Sequence, residues 1–315
     1  MVIMAATAAY YLLNPLFLLL TAPLFMGITK KIKALAQGRK GAPVWQPYFQ
    51  LHKLLKKEII YSHDASFIMR FAPYLNMGFT IAAATLVPVL FLPAEGTIPA
   101  NIILFLYLMV SAKFFMALGG LDAGSGFGGM GSSREMSISA IAEPITIITC
   151  AAVALVLTTT DIVNMFTITL ASSLLSYPTL ILAGVSLFII LIIETARVPV
   201  DNPETHLELT MVHEAMILEQ SGPNLAMMEI SQALKQTLLM AFLINLLFPA
   251  GLSSAFSLPG IAIAAISFIC KGALLCIVIA VFESSMAKIR FFRLPSFFMI
   301  ALLFSFVTII FELVL

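Results

Sequence analysis

Eight stretches of this chain are apolar over about the twenty residues needed to cross the hydrocarbon core of a bilayer, and nothing else in it constrains the fold as much. They run from Val2 to Thr29, Phe71 to Leu92, Pro99 to Leu118, Ser137 to Leu157, Pro178 to Ile193, Ile230 to Ala250, Pro259 to Phe282 and Pro295 to Leu315. In lipid the backbone must satisfy its own hydrogen bonds, so such segments fold as helices. The reading is an all-α integral membrane protein of about eight transmembrane helices, forming a single membrane domain over residues 1–315. The fifth stretch is short, but without it the charge pattern of every later loop is lost. No Lys or Arg precedes Lys30, so the first stretch lacks the positive flank of a secretory signal and reads as a retained helix. Composition agrees, with 61% hydrophobic and 10% charged residues, against roughly a quarter charged in soluble domains.

With eight spans, the loops at about 30–70, 119–136, 194–229 and 283–294 share one side. Fifteen of the seventeen Lys and Arg residues lie in or beside them, and the other two, Lys113 and Lys271, lie within spans. The positive-inside rule makes those loops cytoplasmic and puts both termini outside, in the inner membrane of a prokaryote. A net charge of +1 argues against nucleic acid as a partner. In the first loop Tyr48, Leu51, Leu54, Leu55 and Ile59 alternate with Lys53, Lys56, Lys57 and Glu58, as in an amphipathic helix lying on the membrane surface. In the third, Asn202 and Pro203 open a helix that Ser221, Gly222 and Pro223 are expected to stop.

Two formal motifs fail on context. Gly124, Gly126 and Gly129 satisfy GxGxxG but follow a membrane span, whereas a dinucleotide site needs a preceding strand, so a flexible or tightly packed loop is expected. His213 and Glu214 lack the second histidine of a zinc protease, position 217 being Ile, and His206 with Glu208 makes no better metal site. Solvated or partner-facing histidines are the simpler expectation. Cys150, Cys270 and Cys276 are too far apart for a close-spaced cluster ligand set.

Charge inside the spans is the strongest functional signal, because a mid-bilayer charge is costly and usually marks an ion pathway. Lys113, Glu143 and Lys271 lie within spans, with Glu194 and Glu283 near inner ends. Lys113 and Glu143 lie at matching depths, each about 10 Å from a cytoplasmic end at 1.5 Å per residue, which allows them to face one another. Such a pair serves equally as a structural salt bridge. Ser139, Thr146 and Cys150 share the helical face of Glu143, and Pro144 loosens the local backbone. The loop after the fifth span sets Glu194, Asp201, Glu204, Glu208, Glu214 and Glu219 against a single Arg197. Mutual repulsion there favours proton exchange, although a solvated acidic face has the same composition.

At these residues the chain resembles the respiratory complex I subunit 1 family, and within it the membrane subunit of group 4 membrane-bound nickel-iron hydrogenases of the hydrogenase-4 and formate hydrogenlyase types. The anchors are Gln46-Pro47 through Lys53 to Lys57-Glu58, Glu143, Glu194 with Arg197-Val198-Pro199-Val200-Asp201-Asn202-Pro203-Glu204, Glu208-Leu209, and Glu219-Gln220-Ser221-Gly222. His206 and Gln50 stand where complex I has acidic residues, and Phe282 to Lys288 also resembles the hydrogenase branch.

The resemblance implies a membrane-anchoring and proton-coupling subunit that is itself non-catalytic. Its partners would be cytoplasmic hydrogenase-like large and small subunits, antiporter-like membrane subunits and lipid. Nickel-iron and iron-sulfur centres would belong to those partners, with no cofactor in this chain. Glu143, Glu194, Glu204, Glu208 and Glu219 would carry the proton path, Arg197 and Asp201 would hold the loop, and Lys113, Lys271 and Glu283 join the path as intramembrane charges. Three other readings stay open: a quinone-site subunit, a stand-alone transporter, for which internal repeats are wanting, and a passive anchor.

Overall fold

A computed structural model describes residues 2–63, 65–93, 98–172, 176–201, 211–253 and 256–314. The described chain is nearly all helix: α1 (Val2–Ala36), α2 (Gln46–Leu55), α3 (Phe67–Ala84), α4 (Ile102–Asp122), α5 (Gly126–Val156), α6 (Ile162–Ala171), α7 (Pro178–Glu194), α8 (His213–Ile217), α9 (Gly222–Leu247), α10 (Leu258–Ser285) and α11 (Leu294–Val314). Six segments, built on α1, α4, α5, α9, α10 and α11, are long and apolar enough to cross a membrane. The two other expected spans hold the shorter α3 and α7, and α6 is an additional short helix that periodicity did not single out.

The elements start where the sequence supplies caps. Ser66, Asn101, Ser125, Asp161 and Ser257 each accept a backbone N–H from the first turn of the helix they precede, which satisfies donors that no helix can satisfy internally. Asp122 adds to the first turn of α3 by accepting from the N–H groups of Ser66 and Met69.

α9 is the most enclosed of the long helices and forms the post around which α1, α3 and α7 pack. Its partners meet it through small or matched side chains: Gly184 of α7 lies against Leu247, and Phe105 of α4 stacks on Phe242. α11 is joined to α5 and α7 by a triangle of buried hydroxyls, with Thr149 to Ser186 at 3.0 Å, Thr149 to Ser305 at 2.6 Å and Ser186 to Ser305 at 2.8 Å. Elsewhere α10 and α11 present apolar side chains outward, such as Ile266, Leu274, Leu303 and Ile310, as lipid-facing helices do.

Three expectations about boundaries are corrected. The second span stops at Ala84 rather than Leu92, because Pro88 lacks an N–H and disfavours helix at the residue before it. The backbone freed there is bonded by Asn14, which donates to the carbonyls of Ala84 and Val87 and accepts from the N–H of Val89. The stretch expected as a loop from 119 to 136 is mostly helix, since α5 already begins at Gly126. Its packing glycines are Gly120, Gly128 and Gly131, where a Cβ would meet α5, α4 and α8 atoms at 2.4–2.9 Å. Last, Ser221, Gly222 and Pro223 do not stop a helix; they start α9, with Pro223 in its first turn where no N–H is needed. The expected helix opening at Asn202 and Pro203 lies outside the described residues.

α2 forms where the amphipathic helix was expected, with Leu54 buried and Lys53 exposed. It is seamed to α9. Gln50 donates to Glu229, and the Ser221 hydroxyl both donates to the Ile60 carbonyl and accepts from the Ile60 N–H, each at 2.8 Å. Gly222, at φ +55°, leaves no room for a Cβ, which would stand 2.6 Å from the Glu58 carbonyl oxygen.

Candidate functional site

Glu194 occupies the last turn of α7, where the helix has run out of partners for its own carbonyls. Its Oε1 accepts from Lys113 Nζ of α4 at 2.9 Å and its Oε2 from Lys235 Nζ of α9 at 2.8 Å. The three side chains are 9%, 3% and 11% exposed, so this is a buried carboxylate shared between two cations. Desolvating each ion costs several kcal/mol, repaid only while every partner is present.

Beyond Glu194 the backbone turns sharply. Ala196 adopts a left-handed conformation at φ 49°, which costs a non-glycine residue about 1 kcal/mol. The turn sends Arg197 back into the bundle. One arm of its guanidinium donates to Glu283 Oε1 of α10 at 2.7 Å and the other to Gln236 Oε1 of α9 at 2.6 Å. Lys33 of α1 approaches Glu283 Oε2 at 3.3 Å, so Glu283 repeats the pattern of one carboxylate between two cations. The two knots are coupled by the chain itself, because Lys235 and Gln236 are neighbours on α9. A third anchor follows at Asp201, which accepts from Lys288 at 2.7 Å and from the N–H groups of Val212 and His213. Arg197 and Asp201 thus tie the segment after α7 to α10, to Lys288 and to the N–H groups that open α8.

Two open spaces flank the first knot. On one side is a cavity of about 390 Å³ between α1, α2 and α9, walled by Lys30, Gln50, Arg197, His213, Glu229 and Gln236 among others. Burial pushes the His213 imidazole below its ordinary range, the nearby Glu214 and Asp201 only partly opposing it. On the other side is a mainly apolar cleft of about 260 Å³ between α4, α5 and α9, whose polar lining is Glu143, Thr146, Glu194 and Lys235. Glu194 and Lys235 thus stand between Glu143 and the wall that carries Gln236 and Arg197.

Lys113 does not pair with Glu143. It is buried and turned to Glu194, while Glu143 is half-buried with no hydrogen bond or ion pair to another described residue. Equal depth along two helices says nothing about which way each side chain points, and only depth was available from the sequence. Of the residues expected beside Glu143, Thr146 lines the cleft, whereas Ser139 and Cys150 are buried away from it. Lys271 is also separate: it donates to the carbonyls of Phe248 and Ala250, capping the far end of α9. Glu219 is half-buried in the turn after α8, and Glu204, Glu208 and His206 lie outside the described residues. His213 is buried rather than solvated, because α8 packs against α4 and α5. Among the described residues no group of three metal-ligating side chains converges.

The sequence reading missed Lys235, Lys33, Gln236 and Glu135 as members of the interior. Lys235 was counted with the loops although it falls inside the bounds of the sixth span, and that position was the available signal. Glu135, buried on α5 and within electrostatic range of Lys113 and Lys235, was hidden by the loop assignment.

Known proteins resemble this chain in sequence and in shape. Hydrogenase-4 component C of Escherichia coli (strain K12) is 29% identical over 282 residues, covering 90% of this chain and 88% of its own. Formate hydrogenlyase subunit 4 of the same organism is 31% identical over 281 residues, covering 89% and 91%. A solved chain from the membrane-bound sulfane sulfur reductase, an archaeal respiratory membrane complex, superposes with a TM-score of 0.80 at 18% identity, covering 96% of this chain and 99% of that one. The family model described as NADH dehydrogenase matches residues 8–313, and this multi-pass, all-α membrane protein belongs to that family.

Proposed function

We propose that this chain is the membrane-anchoring and proton-coupling subunit of a complex I-like membrane-bound hydrogenase, linking a cytoplasmic redox arm to antiporter-like membrane subunits. The observation that carries the reading is the position of the Lys113–Glu194–Lys235 knot between a polar cavity and the cleft of Glu143. A change of charge at the cavity wall is felt by the knot through Arg197 and Gln236, and the knot lines the cleft in which Glu143 is free to exchange a proton. The curated relatives, a hydrogenase-4 component and a formate hydrogenlyase subunit, support the hydrogenase branch. On this reading nickel-iron and iron-sulfur centres sit in the soluble partners, the basic loops face the cytoplasm, and both termini lie outside the inner membrane.

The test is Glu143→Gln in proteoliposomes of the intact complex, with electron transfer and ion movement measured together. Loss of ion movement with normal assembly supports the role, and full coupled pumping eliminates Glu143 as an obligatory relay. A second reading, a quinone-site subunit, is favoured by one observation: the larger cavity is walled by Pro47, Gln50 and Leu51 of the surface helix α2, the direction from which a lipid-soluble ligand arrives. Saturable binding of a short-chain quinone that is abolished by filling the cavity at Ala233→Phe would move the assignment there.

A further inference from the structure

On the end of the bundle that holds the Asp201 anchor, the link between α10 and α11 runs Lys288-Ile289-Arg290-Phe291-Phe292-Arg293. It borders a cleft of about 410 Å³ into which Arg134 of α5, Lys288 and Arg290 contribute cations, and Phe291, Phe292 and Leu294 contribute apolar surface. We propose that this cleft binds the phosphodiester headgroup of an anionic glycerophospholipid, with Phe292 seated among the upper acyl chains.

Among the described residues, the cations at the cleft outnumber the acids. Lys288 is engaged by Asp201, and Arg134 spends one donor on the Met211 carbonyl, the rest of its guanidinium fork bonding no other described residue. Arg290 and Arg293, three residues apart, are exposed, and neither forms an ion pair with another described residue. A guanidinium presents paired donors that match phosphate oxygens, and its charge does not titrate away. The apolar part of the site fits the rest of a lipid. Phe292 is 93% exposed, and the outward face of α11 continues from it through Met299, Ile300 and Leu303. α11 begins at Leu294, so the cations stand at the level where an apolar span meets the polar zone, which is where basic pockets between helices hold lipid headgroups. An acidic segment of a partner protein would match the cations, but it would leave the exposed aromatic ring and the lipid-facing helix without a role. The inference goes beyond the coupling function and does not depend on it.

The complete complex, purified in mild detergent and equilibrated with mixed micelles of phosphatidylcholine and phosphatidylglycerol, provides the test. Bound phospholipid per complex is counted by mass spectrometry. The native complex is expected to retain phosphatidylglycerol selectively. Arg290→Gln, at an exposed side chain with no structural partner, is expected to lower that retention about fivefold, the effect of removing one cation near an anionic headgroup. Phe292→Ser should lower it too, and Lys56→Gln, an exposed lysine on the first loop, should not. Equal retention of both lipids by the native complex, or unchanged phosphatidylglycerol in Arg290→Gln, overturns the proposal. So does loss of a soluble subunit from Arg290→Gln with its lipid intact, which would assign the cleft to a protein partner.

Discussion

Glu194 and Glu143 line the same cleft, yet they live in opposite circumstances. Glu194 closes α7 and has each oxygen taken by a lysine ammonium, so its negative charge is locked by the fold. Glu143 sits mid-helix on α5, half-buried, with apolar walls around it and no bonded partner among the described residues. The contrast teaches that an intramembrane carboxylate is not one kind of object. The first has the surroundings of a joint, and the second, on the proposed reading, those of a relay.

The sharpest way to break this contrast is to neutralise the joint. Glu194→Gln leaves two buried ammonium groups without their shared counter-charge, and stranding buried charge costs about 3–5 kcal/mol. The expected result is loss of intact complex from detergent extracts, partly recovered when Lys235→Met is added; normal assembly of the single variant would show that the two carboxylates are alike. Glu143→Gln should do the reverse. Its stability should stay within about 0.5 kcal/mol of the parent, while ion movement in proteoliposomes falls by roughly a hundredfold, the low end of what a positioned proton-transfer group contributes.

Smaller effects test the edges of the contrast. Arg197→Lys keeps the charge but cannot reach Glu283 and Gln236 together, and losing one hydrogen bond to a charged group should cost about 1.5–3 kcal/mol in thermal or denaturant unfolding. A parent-like melting temperature would show that the second knot is dispensable. The His213 imidazole, held neutral by burial, gives a pH signature. Its lowered pKa means the folded state binds the proton less well than the unfolded chain, so stability is full above the ordinary histidine range and declines as pH falls through it. His213→Gln should flatten that decline, and an unchanged profile would assign it to other groups. Lys271→Met removes only a cap on the carbonyls that end α9, worth about 0.3–1 kcal/mol; a coupling defect there would mean that Lys271 belongs to the ion path after all.

How far the sequence could be read follows from the same residues. Hydropathy located the helices because membrane spans are specified one at a time, by length and apolarity. The resemblance singled out Glu194, Arg197 and Asp201, and its position near an inner end singled out Glu283; these four form ion pairs in one region. Glu143 and Glu219, also singled out, stand apart from those pairs, and Glu204 and Glu208 lie outside the described residues. What stayed hidden was azimuth and partnership. Lys113 was assigned a depth but no direction, so it was matched with Glu143 instead of Glu194. Lys235 falls inside the sixth span but close to a cytoplasmic loop, so the sequence does not say that it turns inward, and Pro88 and Gly126 set two helix ends that hydropathy alone does not place. The misses at Lys113 and Lys235 concern contacts between helices, which depend on how the bundle is rotated, whereas those at Pro88 and Gly126 are local to one segment.

The seam between α2 and α9 has a mechanical consequence. With Ser221 gripping both sides of the Ile60 peptide and Gly222 wedged against Glu58, the surface loop and the first turn of the central post cannot shift independently. α2 and the segment that follows it are thereby fixed to the first turn of the helix that carries Lys235 and Gln236 further along. On the proposed reading, a subunit docked on the surface loop and the interior charges would share one continuous structural path.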